Sequence, residues 1–200
     1  MNDRNGSTPP RRRKNDEARA REWLKEDEVE QLRKAAAKMG TWGHRNATMI
    51  LIGFRHGLRV SELIELRWEQ IDLDARTLFV RRLKGSKSSQ HTLERDEVAA
   101  LRKLGPERTG VVFLSERRAP LSRRTFSHVM AEAGLAAKLK ITVHPHMLRH
   151  ACGYCLTAAG HPTRMVQEWL GHRNIQHTVR YTELDPERFR QAGMWSKRAR

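Results

Sequence analysis

His144-Pro145-His146-Met147-Leu148-Arg149-His150, then Leu170-Gly171-His172-Arg173-Asn174-Ile175, then Tyr181: these segments fix the reading of the chain's second half. Pro145 stands where a helix welcomes proline, at its first turn, and Gly160 supplies a stop. Pro162 opens the next helix and Gly171 closes it, and Ile175 to Tyr181 reads as a third. His146 and Arg149, three residues apart, share one helix face and can converge on a single anion. An imidazole can share a proton and a guanidinium fork matches phosphate geometry, although the same pair also serves as an ordinary surface or capping feature. The chain has only two tyrosines. Tyr154, within the apolar Ala151-Cys152-Gly153-Tyr154-Cys155-Leu156, reads as a core aromatic. Tyr181 follows polar, cationic residues; a phenol with a pKa of about 10 is only roughly one part in a thousand ionised at neutral pH, so nearby cations would have to make it a nucleophile.

Working outward, apolar residues at Val29, Leu32, Ala36 and Met39 follow acidic Glu26, Asp27 and Glu28, the pattern of a helix that Gly40 ends. A more apolar helix runs from His44 to His56 and stops at Gly57, and another follows from Val60 to Leu66. The period then changes. Ile71 to Arg76 predicts a strand and turn, Thr77 to Leu83 a strand, Lys84 to Ser89 a hairpin tip, and Gln90 to Leu93 the return strand. Helices resume over Asp96 to Leu104 and over Ser122 to Ala137, with Ser122 as N-cap; Val111 to Leu114 is expected to add a short strand, and Pro186 to start a last helix to about Ala192. The class is mainly α with one small antiparallel β-sheet, an α+β fold.

Two hundred residues suffice for one domain with a buried core. Lys and Arg number 39 against 23 Asp and Glu, a formal net charge of +16, which points to a polyanion and most often to nucleic acid. Part of that charge lies at the ends. Residues 1–21, with Arg11, Arg12, Arg13 and Lys14, lack apolar residues to bury and read as a flexible basic arm. Residues 186–200 end in Lys197-Arg198-Ala199-Arg200, a second basic tag; either end also reads as a solubilising tail. The apolar run near Met49–Phe54 is too short to span a bilayer and no leader pattern opens the chain. Two cysteines fit a reducing compartment, so a cytoplasmic protein is expected. Cys152 and Cys155 form C-x-x-C, but inside a helix and without a second ligand pair, so they read as small buried residues rather than a redox or zinc site.

Three further residues complete the pattern. Arg59 opens a helix, where backbone N–H groups already favour phosphate, with Glu62 three residues on to hold it; a plain intrahelical ion pair explains the same spacing. Lys84 follows Arg81-Arg82-Leu83 at the hairpin tip, where a lysine can deliver a proton to a leaving oxygen or be merely solvated, and Lys87 competes for the role. In order and spacing, Arg59, Lys84, His146-x-x-Arg149, Leu170-Gly171-His172 and Tyr181 resemble the catalytic domain of the tyrosine recombinases, the phage integrase family. The resemblance runs from about Trp23 to Phe189 and is nearest to the short fimbrial-switch invertases.

That resemblance implies a site-specific DNA recombinase, acting in inversion or integration and excision. Tyr181 attacks a DNA phosphodiester to leave a 3′-phosphotyrosyl enzyme and a free 5′-hydroxyl, with no metal or cofactor. It makes Arg59 and Arg149 the clamp on the non-bridging oxygens, Lys84 the general acid, His146 an aid to proton transfer from the tyrosine, His172 a phosphate donor, and Glu62 the support of Arg59. Arg81, Arg82, Lys87 and Arg11 to Lys14 are expected to touch DNA. The implied partner is double-stranded DNA with inverted-repeat sites, bound by a homotetramer with DNA-bending accessory proteins. The catalytic domain spans 22–185, without the separate N-terminal helical domain typical of the family; after it, Phe189, Met194 and Trp195 would anchor a segment docked on a neighbouring protomer or folded back. A helix-turn-helix regulator would explain Pro162 to Tyr181 but leave Arg59, Lys84 and His146 as accidents, and a type IB topoisomerase would share the chemistry without strand exchange.

Overall fold

A computed structural model describes residues 21–82, 87–105 and 108–183. The first helix, α1 (Glu26–Ala37), buries Val29, Leu32 and Ala36 and has Glu26, Asp27 and Glu28 in its first turn. The Glu28 carboxylate accepts from the Lys25 N–H at 2.8 Å, so an otherwise orphaned donor at the helix start is satisfied. Arg21, at the end of the expected arm, donates to the same carboxylate at 2.6 Å. α1 packs on α2 (Gly43–Arg55), whose Met49, Ile50 and Ile52 are fully buried. α2 is the central post of the domain: α4 (Arg95–Arg102) and α6 (His146–Ala158) pack on it, and the short α3 (Val60–Ile64) follows it.

The sheet is antiparallel, in the order β1 (Ile71–Asp72), β2 (Thr77–Val80) and β3 (Ser89–Thr92), with Leu78 opposite His91 and Val80 opposite Ser89. α5 (Arg123–Ala136) begins where expected, and the Ser122 hydroxyl accepts from the Thr125 N–H at 3.0 Å. The strand expected over Val111 to Leu114 does not form. Val111 and Leu114 instead make isolated bridges, to Arg67 and Pro120, because Val112 and Phe113 turn into the core rather than alternate along a ladder.

α7 (Thr163–Leu170) and α8 (Gln176–Glu183) pack on α6 around a second, smaller core of Cys152, Val166, Leu170 and Tyr181. Cys152 and Cys155 lie in α6 as free thiols, the first buried and the second partly so, with burial pushing their pKa values up to about 12 and about 11 and disfavouring the nucleophilic thiolate. Among the described residues no helix is long and apolar enough to cross a membrane. Arg11 to Lys14, Lys84 and the expected helix from Pro186 to Ala192 lie outside the described residues.

Candidate active site

The site grows from two helix ends that meet. α2 stops at Gly57, with φ +55°, and a Cβ there would lie 2.3 Å from the Leu170 side chain; only glycine permits both the turn and the contact. The closing carbonyls of α2 and α7 are thus brought together. Helix C-termini leave carbonyls unpaired and carry the negative end of the dipole, and two buried guanidinium groups satisfy them here.

Arg149, from α6, is 2% exposed. Its Nη1 donates to the Gly57 carbonyl and its Nη2 to the Leu170 carbonyl at 2.7 Å. Burial, with the charges of Arg82 and Arg59, lowers its pKa to about 10, so it stays cationic at neutral pH. Arg82 donates to the carbonyls of Gly57, His56 and Trp169. The expectation that Arg82 touches DNA is corrected by this placement: its side chain has no exposed surface and its two terminal nitrogens donate to two helix ends and a carboxylate. Strand parity carried the signal, since Leu78, Val80 and Arg82 alternate onto the buried side while Phe79 and Arg81 face outward.

That carboxylate is Glu62. One oxygen accepts from Arg59 Nη1 at 2.8 Å, and the other from Arg82 Nη1 and from the Arg59 N–H, each at 2.9 Å. Burial works to raise its pKa, but the Arg82 charge and these hydrogen bonds outweigh it, and the carboxyl sits below its usual value. Glu62 therefore supports Arg59, as expected from the spacing, and ties it to a second, hidden arginine. Arg59 keeps part of its guanidinium on a concave space of roughly 630 Å³, shared with His172, Arg164, Gln167, Arg173, Asn174 and His177. His172 is oriented there by Thr178, whose Oγ1 lies 2.8 Å from its Nδ1; burial and the charges of Arg149 and its neighbours lower its pKa to about 3.

Tyr181, on α8, is 1% exposed. Its ring lies on Gly153, where a Cβ would come within 2.6 Å of ring carbons. Its hydroxyl is 3.1 Å from His150 Nδ1. Burial raises the phenol pKa to about 12 against the opposing charges of Arg149 and Arg180, and burial with the charge of His146 lowers His150 to about 3. The pair is neutral. His146, at the exposed start of α6, meets His150 edge-on with ring centroids 4.4 Å apart; desolvation by its neighbours and the Arg149 charge lower its pKa. In this arrangement His150, which sequence reasoning passed over, is the imidazole within reach of the phenol. Its signal was available: His146 and His150 are four residues apart and share a helix face with Arg149. Tyr154 is a packing aromatic as expected, 4.5 Å from Trp23 and 4.9 Å from Tyr181 between ring centroids.

Arg81 and Lys87 are exposed, and Lys87 lines a concavity beside Gly171, His172 and Arg173. Arg59, Arg164 and Arg173 thus border one open space, and the Tyr181 ring stacks 6.2 Å from that of His172 on its edge.

Residues 22–188 match the phage integrase family. The chain belongs to this family, the tyrosine recombinases. It is 40% identical over 185 residues to the type 1 fimbriae regulatory protein FimE of Escherichia coli strain K12, covering 88% of this chain and 92% of that one. Against FimB of the same strain it is 42% identical over 184 residues, covering 88% and 90%. Among solved structures, the recombinase XerA superposes with a TM-score of 0.73 at 27% identity, over 85% of this chain and 63% of its own.

Proposed function

We propose that this recombinase cuts and rejoins double-stranded DNA at inverted-repeat sites through a phosphotyrosyl bond at Tyr181. The observation that carries the reading is that Arg59 and His172 line one open space, with the buried Arg149 charge close behind His172 and the Tyr181 ring 6.2 Å from it. The step balances without a redox partner. The Tyr181 oxygen forms a bond to phosphorus, the bond from phosphorus to the 5′-oxygen breaks, and the phenolic proton leaves to an imidazole. Lys84 supplies a proton to the 5′-oxygen, and in the return step that hydroxyl attacks the phosphotyrosine. Such a transfer needs mostly positioning and charge stabilisation, which cations fixed by the fold supply.

Residues 1–20 and those after Tyr181 extend the reading. Arg11 to Lys14 add phosphate contacts, each worth about 0.9 in the log–log salt slope of binding. Phe189, Met194 and Trp195 anchor the chain's end on a neighbouring protomer, so that four copies join four half-sites, aided by DNA-bending proteins on the nucleoid. A nicked suicide substrate carrying the inverted repeats tests the central claim. The full chain should form an adduct that survives denaturation, Tyr154→Phe should form it too, and Tyr181→Phe should not. Adduct from Tyr181→Phe would overturn the nucleophile; binding with no adduct from the unaltered chain would favour the regulator, and supercoil relaxation without recombinants the topoisomerase.

A further inference from the structure

Between the hairpin and α4, running inward from Ser89 at the edge of the concavity that Lys87 lines, a row of polar side chains is buried where apolar ones would pack as well. His91 on β3, His56 at the end of α2 and Glu97 on α4 are each 1% exposed. Ser89 Oγ lies 2.8 Å from His91 Nε2, His91 Nδ1 lies 3.0 Å from His56 Nδ1, and His56 Nε2 lies 3.0 Å from Glu97 Oε1. The other Glu97 oxygen accepts from the Glu94 N–H at 2.8 Å and faces Arg55 at 3.4 Å.

These contacts form one continuous chain. Glu97 is an acceptor to every neighbour, so His56 donates to it from Nε2. Where His56 Nδ1 accepts, His91 donates from Nδ1 and the Ser89 hydroxyl donates to His91 Nε2; where His56 Nδ1 donates, the two outer bonds run the other way, and every polar atom is paired in both cases. Burial beside His56 and Arg82 pushes the His91 pKa down to about 3. The His91 face stacks on Trp169 at 3.8 Å, and the Trp169 indole donates to the Arg55 carbonyl at 2.9 Å.

A fully satisfied buried network defines geometry more sharply than apolar packing does, because each misplacement leaves a polar group unpaired. The geometry defined here has two ends. One is Ser89, the first residue of the hairpin's return strand. The other is the pair of backbone segments at His56 and Trp169 whose carbonyls hold Arg82, and through it Glu62 and Arg59.

We propose that His91 is a positioning residue for DNA cleavage, seating the hairpin that carries Lys84 against the arginine clamp through its hydrogen bonds to Ser89 and His56. The inference rests on the function proposed above, in which the hairpin lysine protonates the leaving 5′-oxygen. A chain of buried hydrogen bonds from α4 to β3 is what holds that hairpin in register with the two helix ends.

The test compares ordinary DNA with a substrate carrying sulfur at the 5′-bridging position, whose thiolate leaves without a proton. His91→Phe keeps the stack on Trp169 and removes both ring hydrogen bonds. It should slow single-turnover cleavage of ordinary DNA by about a hundred-fold, the loss expected when a reacting group is misplaced by ~1 Å, and cleave the sulfur substrate within a few-fold of the unaltered protein. Ser89→Ala removes only the hairpin end of the network and should show the same selective defect in smaller degree, so the test stands even where His91→Phe folds poorly. Equal losses on both substrates, or no loss on either, from Ser89→Ala and from a folded His91→Phe would overturn the proposal. Lys84→Ala separates the two layers. Sulfur rescue of that variant supports its acid role independently of His91. Rescue of Lys87→Ala instead moves the acid along the same hairpin and leaves the His91 test readable. Rescue of neither lysine removes the hairpin acid, and this inference with it.

Discussion

Arg149 and Tyr181 are both nearly inaccessible, yet they are buried in different ways. Arg149 sits in the main body and is gripped by two backbone carbonyls from two helix ends. Tyr181 belongs to the small cluster under α8, an eight-residue helix, and its polar atom meets one side chain. Backbone carbonyls at a helix end cannot swing away, whereas a short helix is marginal on its own and one neutral side-chain hydrogen bond is worth only about 1 kcal/mol net. The proposed phosphate clamp is built into the fold, and the proposed nucleophile is held by a short helix and one side-chain hydrogen bond.

The largest effects test that division directly. Tyr181→Phe should abolish covalent adduct while DNA affinity and melting temperature stay close to the parent's, since only one hydrogen bond is lost; a large stability loss would mean that the hydroxyl is a structural anchor after all. Arg149→Lys should reduce cleavage by about a hundred- to a thousand-fold, the usual cost of removing a donor to transition-state charge, because an ammonium cannot span two carbonyls and a phosphate. Near-parental single-turnover rates from the lysine variant would break the comparison on the clamp side.

Gly153→Ala probes the slot that holds the Tyr181 ring. The added methyl would crowd the Tyr181 ring at 2.6 to 2.8 Å, and overpacking of this kind costs about 1–3 kcal/mol. Displacement of the ring should bring the phenol pKa down from about 12 toward about 10, which an NMR titration of the two tyrosines would read. An unchanged titration with an unchanged melting temperature would show that the slot is looser than its contacts imply.

Acid should weaken the fold with a defined sign. His91, His150 and His172 have folded pKa values of about 3, against roughly 6.5 in an unfolded chain. The unfolded state binds the protons first, so stability present above pH 6.5 is lost as pH falls toward 3. Near pH 5, unfolding should take up about three protons, measurable from the pH dependence of the unfolding free energy; His150→Phe should remove one. A flat profile between pH 6.5 and 5 would contradict the neutral imidazoles.

Much of this was legible in the chain. Pro145, Gly160, Pro162 and Gly171 marked helix ends because backbone constraints act locally, and the Ser122 cap was found for the same reason. The proposed clamp residues and the proposed nucleophile rest on order and spacing. What was hidden is the environment of charge. Arg81 and Arg82 look alike as letters, yet one faces solvent and the other is sealed between two helices, a difference set by contacts from residues 25 to 87 positions away. His150 was overlooked for a similar reason: its importance lies in what α8 brings to it. His56, His91 and Glu97 come from three separate elements and form no motif.

The way Arg149 is held has a consequence for the arrival of substrate. Among the described residues its hydrogen-bond partners are carbonyl dipoles and include no carboxylate, whereas Arg82 is neutralised by Glu62. A guanidinium already paired with an anion must exchange one counter-ion for another, and the displaced charge resists the incoming one. Arg149 has nothing to evict. Dipoles fix its direction without cancelling its charge, and under the proposed function the phosphate would enter as its first full counter-ion.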